Sequence, residues 1–305
     1  MRTFRRLLIS FACLGLILPL SGASSNLAAV AAKPVIVSDA QQYDFKSEVN
    51  GREYRLFVAT PPGYDPAKKY PVLYLLDANY YFAAARDMMH YIGGLKAPAF
   101  APAILVGLGY PTTSKQAMSL RQYDLTPPKD IKAPASQTGG GEEFIRLLLD
   151  EVKPFVASRF NVHSEQQAIF GKSLGGLTVL QIMLTHPTAF SAYIASSPSI
   201  WWGDRAILKN IETFQKRAKV EALNIRLLVT VGEAETISMR KNCTDFVQNM
   251  SSLKLKGVTA THVIFPDENH NSVSLSSLNR AMVFALPSPT SDKSQEPNSE
   301  RSAAP

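Results

Sequence analysis

Cysteine is scarce in this chain, with only Cys13 and Cys243 among 305 residues. Cys13 falls in an N-terminal leader described below, so Cys243 has no partner in the rest of the chain. This count excludes a disulfide scaffold and a cysteine-based zinc site. The sequence also lacks the G-x-G-x-x-G, Walker and H-E-x-x-H motifs, so we expect neither an organic cofactor nor a bound metal.

A strong excess of one charge sign is also missing. The chain has 32 Lys and Arg against 25 Asp and Glu, a net charge of +7. Without the three arginines of the leader, 29 basic residues face 25 acidic ones, or +4. An excess this small and dispersed does not favour a nucleic-acid partner. A composition of 46% hydrophobic and 19% charged residues is typical of globular proteins and excludes a disordered, collagen-like or coiled-coil chain.

Long apolar runs are absent except near the N-terminus. There, Arg2, Arg5 and Arg6 precede the mostly apolar residues 7–20, and small residues follow. This order predicts a secretory signal peptide over residues 1–32. An uncleaved anchor is the alternative, but a membrane span needs about 20 apolar residues, which is more than this run offers. We therefore expect an exported protein, with no membrane anchor once the signal is removed.

Residues 33–286 predict one α/β domain, and the polar residues 287–305 predict a disordered tail. Within the domain, short apolar runs alternate with helical patterns. The predicted strands cover 53–60, 72–77, 104–107, 168–170, 192–196, 225–231 and 261–265, and the clearest helices cover 142–160, 174–186 and 273–286. This alternation predicts a mostly parallel central sheet with helices on both faces. Such a sheet binds ligands at the carboxyl ends of its strands.

The segment 171–176, with the sequence GKSLGG, joins a predicted strand to a predicted helix. G-x-S-x-G at such a junction is typical of a nucleophile elbow, in which a strained turn exposes the serine hydroxyl. Ser173 is therefore the predicted nucleophile, and the amide of Leu174 at the helix start is expected to stabilise an oxyanion. The alternative is a glycine-rich turn whose serine only caps the helix.

A serine nucleophile needs a base, and His270 is the candidate. It follows the last predicted strand, as the histidine does in hydrolases whose triad runs serine, acid, histidine along the chain. The other four histidines are predicted in a helix, in the loop before the strand that leads to the elbow, at a helix end and within a strand (His90, His163, His186 and His262). A solvated loop histidine is the alternative interpretation of His270.

The acid that orients the base is expected in the turn after the penultimate predicted strand. Glu235 lies three residues beyond Gly232 in that turn, the usual offset of a carboxylate that reaches the imidazole, and is favoured over Glu233. Asp245 and Asp267 are weaker candidates. A site that works as a Ser–His pair without an acid also stays open.

Several stretches beyond the elbow carry a family resemblance: YPVLYLLD at 70–77, ILVGLGYP at 104–111, DLTP at 124–127, SPSIWW at 197–202 and ENH at 268–270. From about residue 43 to residue 286, the chain resembles the esterase D-like putative esterases, a family of α/β-hydrolases. Within that family it is most similar to bacterial siderophore trilactone esterases of the enterobactin and salmochelin type. The family also includes S-formylglutathione hydrolases, feruloyl-type esterases and mycolyltransferases, so the resemblance implies a reaction class more firmly than a substrate.

The resemblance implies that the turn after the predicted strand 72–77 supplies a second oxyanion N–H, from Ala78, with Asn79 among the substrate-binding residues. Arg121 matches an arginine that such enzymes point into the pocket, where it suits a carbonyl or an anionic catecholate. The alternative for Arg121 is a surface arginine paired with Asp124.

Trp201 and Trp202 match a position at the edge of the sheet where an indole ring can stack on an aromatic acyl group. We expect at least one of the two in the core, since tryptophans are mostly buried. Lys172 departs from the histidine that is common before the nucleophile in this family. Its cation would favour anionic substrates, or it would simply reach solvent.

Together these residues imply a serine ester hydrolase that acts on a small-molecule ester. The expected substrate is the trilactone of a catecholate siderophore such as enterobactin, with any ferric iron bound to the substrate. Export argues against the formylglutathione role, which belongs to the cytosol. The alternatives are a general exported carboxylesterase or acyltransferase, and a non-catalytic siderophore-binding protein of the same fold.

Overall fold

The computed structural model of the protein describes residues 36–287 apart from 94, 96–98 and 128–136, together with residue 31. A compact unit begins at Val37 and contains every element named below. The predicted signal peptide and tail lie outside the described residues, except for Ala31 and Pro287. In the described part of the chain, no helix has the length and apolar character needed to cross a bilayer.

The described strands, numbered along the chain, form one sheet. They are β1 (Ala40–Lys46), β2 (Glu53–Ala59), β3 (Tyr70–Leu76), β4 (Ile104–Gly109), β5 (Val162–Lys172), β6 (Ala192–Ser196), β7 (Ile225–Gly232) and β8 (Val258–Phe265). Their order across the sheet is β1-β2-β4-β3-β5-β6-β7-β8. β2 pairs antiparallel with β1 and β4, and the remaining neighbours are parallel. β5 is therefore central, and β8 lies at an edge.

The described helices connect these strands. They are α1 (Ala78–Gly93), α2 (Ser114–Asp124), α3 (Gly141–Arg146), α4 (Lys153–Arg159), α5 (Leu174–Thr185), α6 (Trp202–Arg205), α7 (Asn210–Ala218), α8 (Ile237–Ser252) and α9 (Val273–Ala285). A π-helical turn at Leu147–Val152 joins α3 to α4.

Each face of the sheet has its own core, because successive side chains of a strand point to opposite faces. On β3, Leu73 and Leu75 pack with residues of α1 and α9, such as Phe82 and Leu278. Tyr74, between them, packs into the larger core on the other face, which contains α5, α7 and α8. β3, β4, β6 and β7 are apolar almost throughout because both of their faces are covered. This arrangement confirms the predicted mostly parallel sheet with helices on both faces.

Several elements differ from the sequence prediction. β1 was not predicted, since its residues are polar and largely exposed at the edge of the sheet, where no continuous apolar run is needed. β5 begins at Val162, whereas the prediction placed its start at residue 168. The first half of the strand was missed because most of its residues are polar and exposed. His163 therefore lies in a strand, and its predicted position in a loop is wrong. The predicted helix 142–160 contains the π-helical turn.

Candidate active site

Ser173 occupies the tight turn between β5 and α5. Its φ of 58° and ψ of −115° are rare for a residue with a Cβ, so the backbone is strained at this position. A Cβ at Gly171 would collide with the backbone carbonyl of Gly175, which is why the turn requires glycine there. The Ser173 amide donates to the Ser196 carbonyl at 2.9 Å. The predicted elbow is thus built by the strand, the turn and the helix together.

His270 and Glu235 meet across the turns that follow β8 and β7. Nδ1 of His270 lies 2.8 Å from Oε2 of Glu235. The two turns can approach because Gly232 has no side chain: a Cβ there would collide with the carbonyl oxygen of Glu268. The Glu235 side chain is 1% exposed and the His270 side chain is 38% exposed. The Glu235 carboxylate is therefore buried beneath the imidazole of His270, which remains accessible to solvent.

Both oxygens of the Glu235 carboxylate are used. Oε1 accepts hydrogen bonds from the Ser197 hydroxyl at 2.5 Å and from the Gly232 amide at 3.0 Å. Burial by itself would raise the pKa of Glu235, but the hydrogen bonds from His270, Ser197 and Gly232 outweigh it and lower that pKa. Glu235 thus stays ionised and fixes the imidazole through Nδ1. Glu233, the competing candidate, is exposed.

The loop after β6 connects the serine with the acid. The Ser199 amide donates to the Ser173 carbonyl at 3.0 Å, and the Ser197 amide donates to the Thr230 carbonyl at 2.7 Å. The Ser173 hydroxyl lies 3.2 Å from the Ser199 hydroxyl. Among the hydrogen bonds of the described residues, none joins Ser173 to His270. A hydrogen bond between nucleophile and base is often long until substrate binds.

Sequence reasoning assigned no role to Ser197 or Ser199. Both belong to the SPSIWW stretch that carried part of the family resemblance. That stretch was a signal that the loop matters. Which of its serines would meet Glu235 and which would meet Ser173 depends on the path of the loop.

The two predicted oxyanion amides stand at helix starts that follow neighbouring strands. Leu174 begins α5 after β5, and Ala78 begins α1 after β3, which pairs in parallel with β5. The first N–H groups of a helix have no partner within it, and they carry the positive end of its dipole. Both amides are therefore free of helical hydrogen bonds at the carboxyl edge of the sheet.

Arg121 does not offer an open guanidinium to a substrate. Its Nε and one terminal nitrogen bind the two carboxylate oxygens of Asp77 at 2.5 and 2.7 Å, and its side chain is 10% exposed. The alternative, a surface pair with Asp124, is wrong, and a contact of Arg121 with substrate stays a prediction. Asp124 instead accepts from the Tyr110 hydroxyl at 2.9 Å and faces Arg52 at 3.3 Å.

Asn79 is also occupied by the protein itself. Its side-chain amide donates to the Tyr110 carbonyl at 2.9 Å, and its side-chain carbonyl accepts from the Tyr110 amide at 2.8 Å. This pair of bonds ties the β3–α1 turn to the segment after β4. In this structure the amide shapes the turn, and its contact with substrate stays a prediction.

The remaining candidates divide between surface and core. Trp201 is 47% exposed, whereas Trp202 is 8% exposed and belongs to the core, so one tryptophan is buried as expected. Lys172 is 6% exposed, which contradicts the alternative that it simply reaches solvent. Burial lowers the pKa of Lys172, and the charge of Glu235 opposes that shift. Asp245 forms a surface ion pair with Lys241 on α8 at 2.8 Å, away from the imidazole.

A family model described as putative esterase matches residues 47–270. The chain belongs to this family. A ferri-bacillibactin esterase, BesA of Bacillus subtilis, is 35% identical over 252 residues, which cover 79% of this chain and 87% of BesA. Together with the fold and the elbow, this similarity identifies the chain as an ester-hydrolysing enzyme.

Solved structures that are similar to this chain agree with this assignment. The BES protein of Bacillus cereus has a TM-score of 0.78 and 28% identity, covering 84% of this chain and 99% of the other. An enterobactin hydrolase, IroE, in complex with DFP has a TM-score of 0.65 and 25% identity, covering 82% of this chain and 95% of the other. The fold is accordingly the predicted α/β-hydrolase fold. In the described ranges, His, Cys, Asp and Glu side chains form no group of three that could hold a metal ion.

Proposed function

We propose that this enzyme hydrolyses the trilactone of a catecholate siderophore such as enterobactin. The observation that carries the proposal is the bonded pair of His270 and Glu235 at 2.8 Å, which lies at the same sheet edge as the strained Ser173. The similarity to a ferri-bacillibactin esterase and an enterobactin hydrolase supports the substrate class. Ferric iron, where present, enters as part of the substrate. The basic and apolar order of residues 1–32 supports export to the periplasm.

The reaction is a two-step acyl transfer. His270 accepts the hydroxyl proton of Ser173 while Oγ attacks the ester carbonyl carbon, and the proton then passes to the departing alkoxide. The amides of Leu174 and Ala78 stabilise the charge that develops on the carbonyl oxygen. Water, deprotonated by the same imidazole, then attacks the acyl-enzyme. Its proton returns to Oγ as the acid product leaves.

Aromatic surfaces beside this edge suit an aromatic acyl substrate. Half of the Trp201 side chain remains open to solvent, so its ring can stack on a catechol. A cavity of about 500 Å³ is lined by Ala78, Phe57 and Phe82, among others, but by neither Ser173 nor His270, so it borders the oxyanion turn rather than the nucleophile.

The test is hydrolysis of enterobactin, iron-free and iron-loaded, with products identified by mass. We expect the wild type to release dihydroxybenzoylserine units and Ser173→Ala to be inactive. Ser191→Ala is the matched control, because Ser191 lies at the opposite end of β6 and bonds the Gln167 carbonyl. This control should keep full activity.

A short p-nitrophenyl ester and a fluorophosphonate probe separate the alternatives. A kcat/KM that strongly favours the p-nitrophenyl ester would replace the siderophore assignment with a general carboxylesterase. Folded wild-type protein that the probe does not label at Ser173 would indicate a binding protein instead.

A further inference from the structure

Asp77 and Arg121 form a buried ion pair next to the proposed oxyanion amides. The bonds are bidentate, at 2.5 and 2.7 Å, and the two side chains are 3% and 10% exposed. The partners are 44 residues apart in sequence. Bidentate carboxylate–guanidinium bonds are among the most strongly oriented contacts in proteins.

The pair contacts both segments that supply the oxyanion amides. On one side, Asp77 directly precedes Ala78 and has a φ of 58°, a strained conformation that persists only when surrounding contacts hold it. On the other side, Arg121 donates to the Lys172 carbonyl at 3.4 Å, one residue before the nucleophile. The Asp77 carboxylate also lies against Gly175, where a Cβ would be 3.0 Å from Oδ2.

From these contacts we propose that the Asp77–Arg121 pair positions the oxyanion hole. The bidentate bond fixes the strained backbone of Asp77, and with it the direction of the Ala78 N–H. The bond to Lys172 and the contact with Gly175 keep that N–H in register with the Leu174 N–H. Arg121 is a positioning residue in this scheme. The inference rests on the proposed acyl-transfer function.

The charge of the pair matters as well as its shape. An unpaired Asp77 carboxylate beside the forming oxyanion would repel it, since both are negative in a site of low dielectric constant. Arg121 cancels that charge without leaving a cation for the substrate. Lysine cannot replace it, because an ammonium group lacks the planar fork that binds both carboxylate oxygens.

The test compares Arg121→Lys, Asp77→Asn and the double variant Asp77→Asn/Arg121→Lys. Each is assayed with a neutral p-nitrophenyl ester and with enterobactin. We expect Arg121→Lys to lower kcat about 100-fold on both substrates, the size expected from an ångström of misplacement, with KM within about threefold of wild type. The two single losses should not add in the double variant, because each removes the same contact.

Arg52→Gln is the matched control. Arg52 faces Asp124 at 3.3 Å, and Asp124 lies on α2, three residues after Arg121. Loss of the Arg52 side chain therefore perturbs the same helix without touching the oxyanion turn. Melting temperatures and the rate of fluorophosphonate labelling are measured for every variant. We expect the control to keep its labelling rate, even where its melting temperature falls as far as that of Arg121→Lys.

Three results would overturn the inference. The first is unchanged kcat in Arg121→Lys with a raised KM for enterobactin alone, which would make Arg121 a substrate-binding residue. The second is an equal loss of labelling in Arg52→Gln, which would indicate a general effect of α2. The third is full additivity in the double variant. If the wild type hydrolyses neither the p-nitrophenyl ester nor enterobactin, the proposed function fails instead.

Discussion

Glu235 and Asp124 are two buried carboxylates whose pKa values are shifted in opposite directions. Glu235 accepts bonds on both oxygens from His270, Ser197 and Gly232, and these bonds lower its pKa against the effect of burial. Asp124 is fully buried, and its Oδ1 has no hydrogen-bond donor. Burial raises the pKa of Asp124 to about 6, against the charge of Arg52. Hydrogen bonds outweigh burial at Glu235, whereas burial outweighs the hydrogen bonds and the Arg52 charge at Asp124.

The comparison predicts opposite dependences of stability on pH. Glu235 has a folded pKa below its ordinary value of 4.5, so its contribution to the free energy of unfolding is present above that value and is lost as the pH falls. Asp124 has a folded pKa above its ordinary value of 3.8. The folded state therefore binds the extra proton, and the free energy of unfolding falls as the pH rises from about 4 to about 6.

Removing the charge of Glu235 has the largest expected effect. Glu235→Gln keeps the shape but no longer holds the imidazole in the tautomer that accepts the serine proton, so kcat should fall about 10²- to 10⁴-fold. Burst and steady-state kinetics with a p-nitrophenyl ester measure this fall in kcat. Glu233→Gln, on the same turn but exposed, is the control and should be unaffected. Retention of full activity in Glu235→Gln would indicate a Ser–His pair that needs no acid.

Removing the charge of Asp124 should stabilise the protein. Asp124→Asn keeps an acceptor for the Tyr110 hydroxyl and no longer buries an ionised group. We expect a gain of about 1–3 kcal/mol at pH 7, from a pKa raised by about two units, that disappears near pH 4. Urea unfolding at several pH values measures this gain. A constant difference between variant and wild type across that range would contradict the ionisation of Asp124.

Removing one donor from Glu235 has the smallest expected effect. Ser197→Ala deletes the hydroxyl that bonds Oε1 at 2.5 Å, while the bonds from Gly232 and His270 remain. We expect the pKa of Glu235 to rise toward its ordinary value, at which it is still ionised at neutral pH. The fall in kcat there should be about tenfold at most, the equivalent of about 1.4 kcal/mol, because the carboxylate is held less firmly. The pH dependence of unfolding below pH 5 tests the pKa directly. If the pH dependence of unfolding below pH 5 is unchanged in the variant, this bond does not set the ionisation of Glu235.

Local sequence signals were sufficient for part of the site. The elbow could be located because its glycines, its strand and its helix are contiguous in the chain. The position of His270 followed from its place after the last strand. Glu235 could be favoured over Glu233 because a fixed offset from Gly232 places one carboxylate toward the imidazole and leaves the other in solvent.

Contacts between distant segments could not be predicted in the same way. Arg121 meets Asp77 because α2 passes over the β3–α1 turn, and nothing near either residue in sequence reports that crossing. The same holds for Asn79, whose amide is taken up by the backbone of Tyr110. β1 was missed for another reason: an edge strand exposes much of its surface, so its sequence lacks the apolar run by which buried strands are recognised.

The order of the strands divides the chemistry between the middle and the margin of the sheet. Ser173 directly follows the central strand β5, whereas His270 lies in the turn after β8, a strand with a neighbour on one side only. Outer strands open more readily than inner ones, through partial unfolding that leaves the interior intact. Local unfolding of β8 would move His270, the proton acceptor, out of the site while Ser173 and its strained turn stay in place. The enzyme would then lose turnover well before it loses its shape.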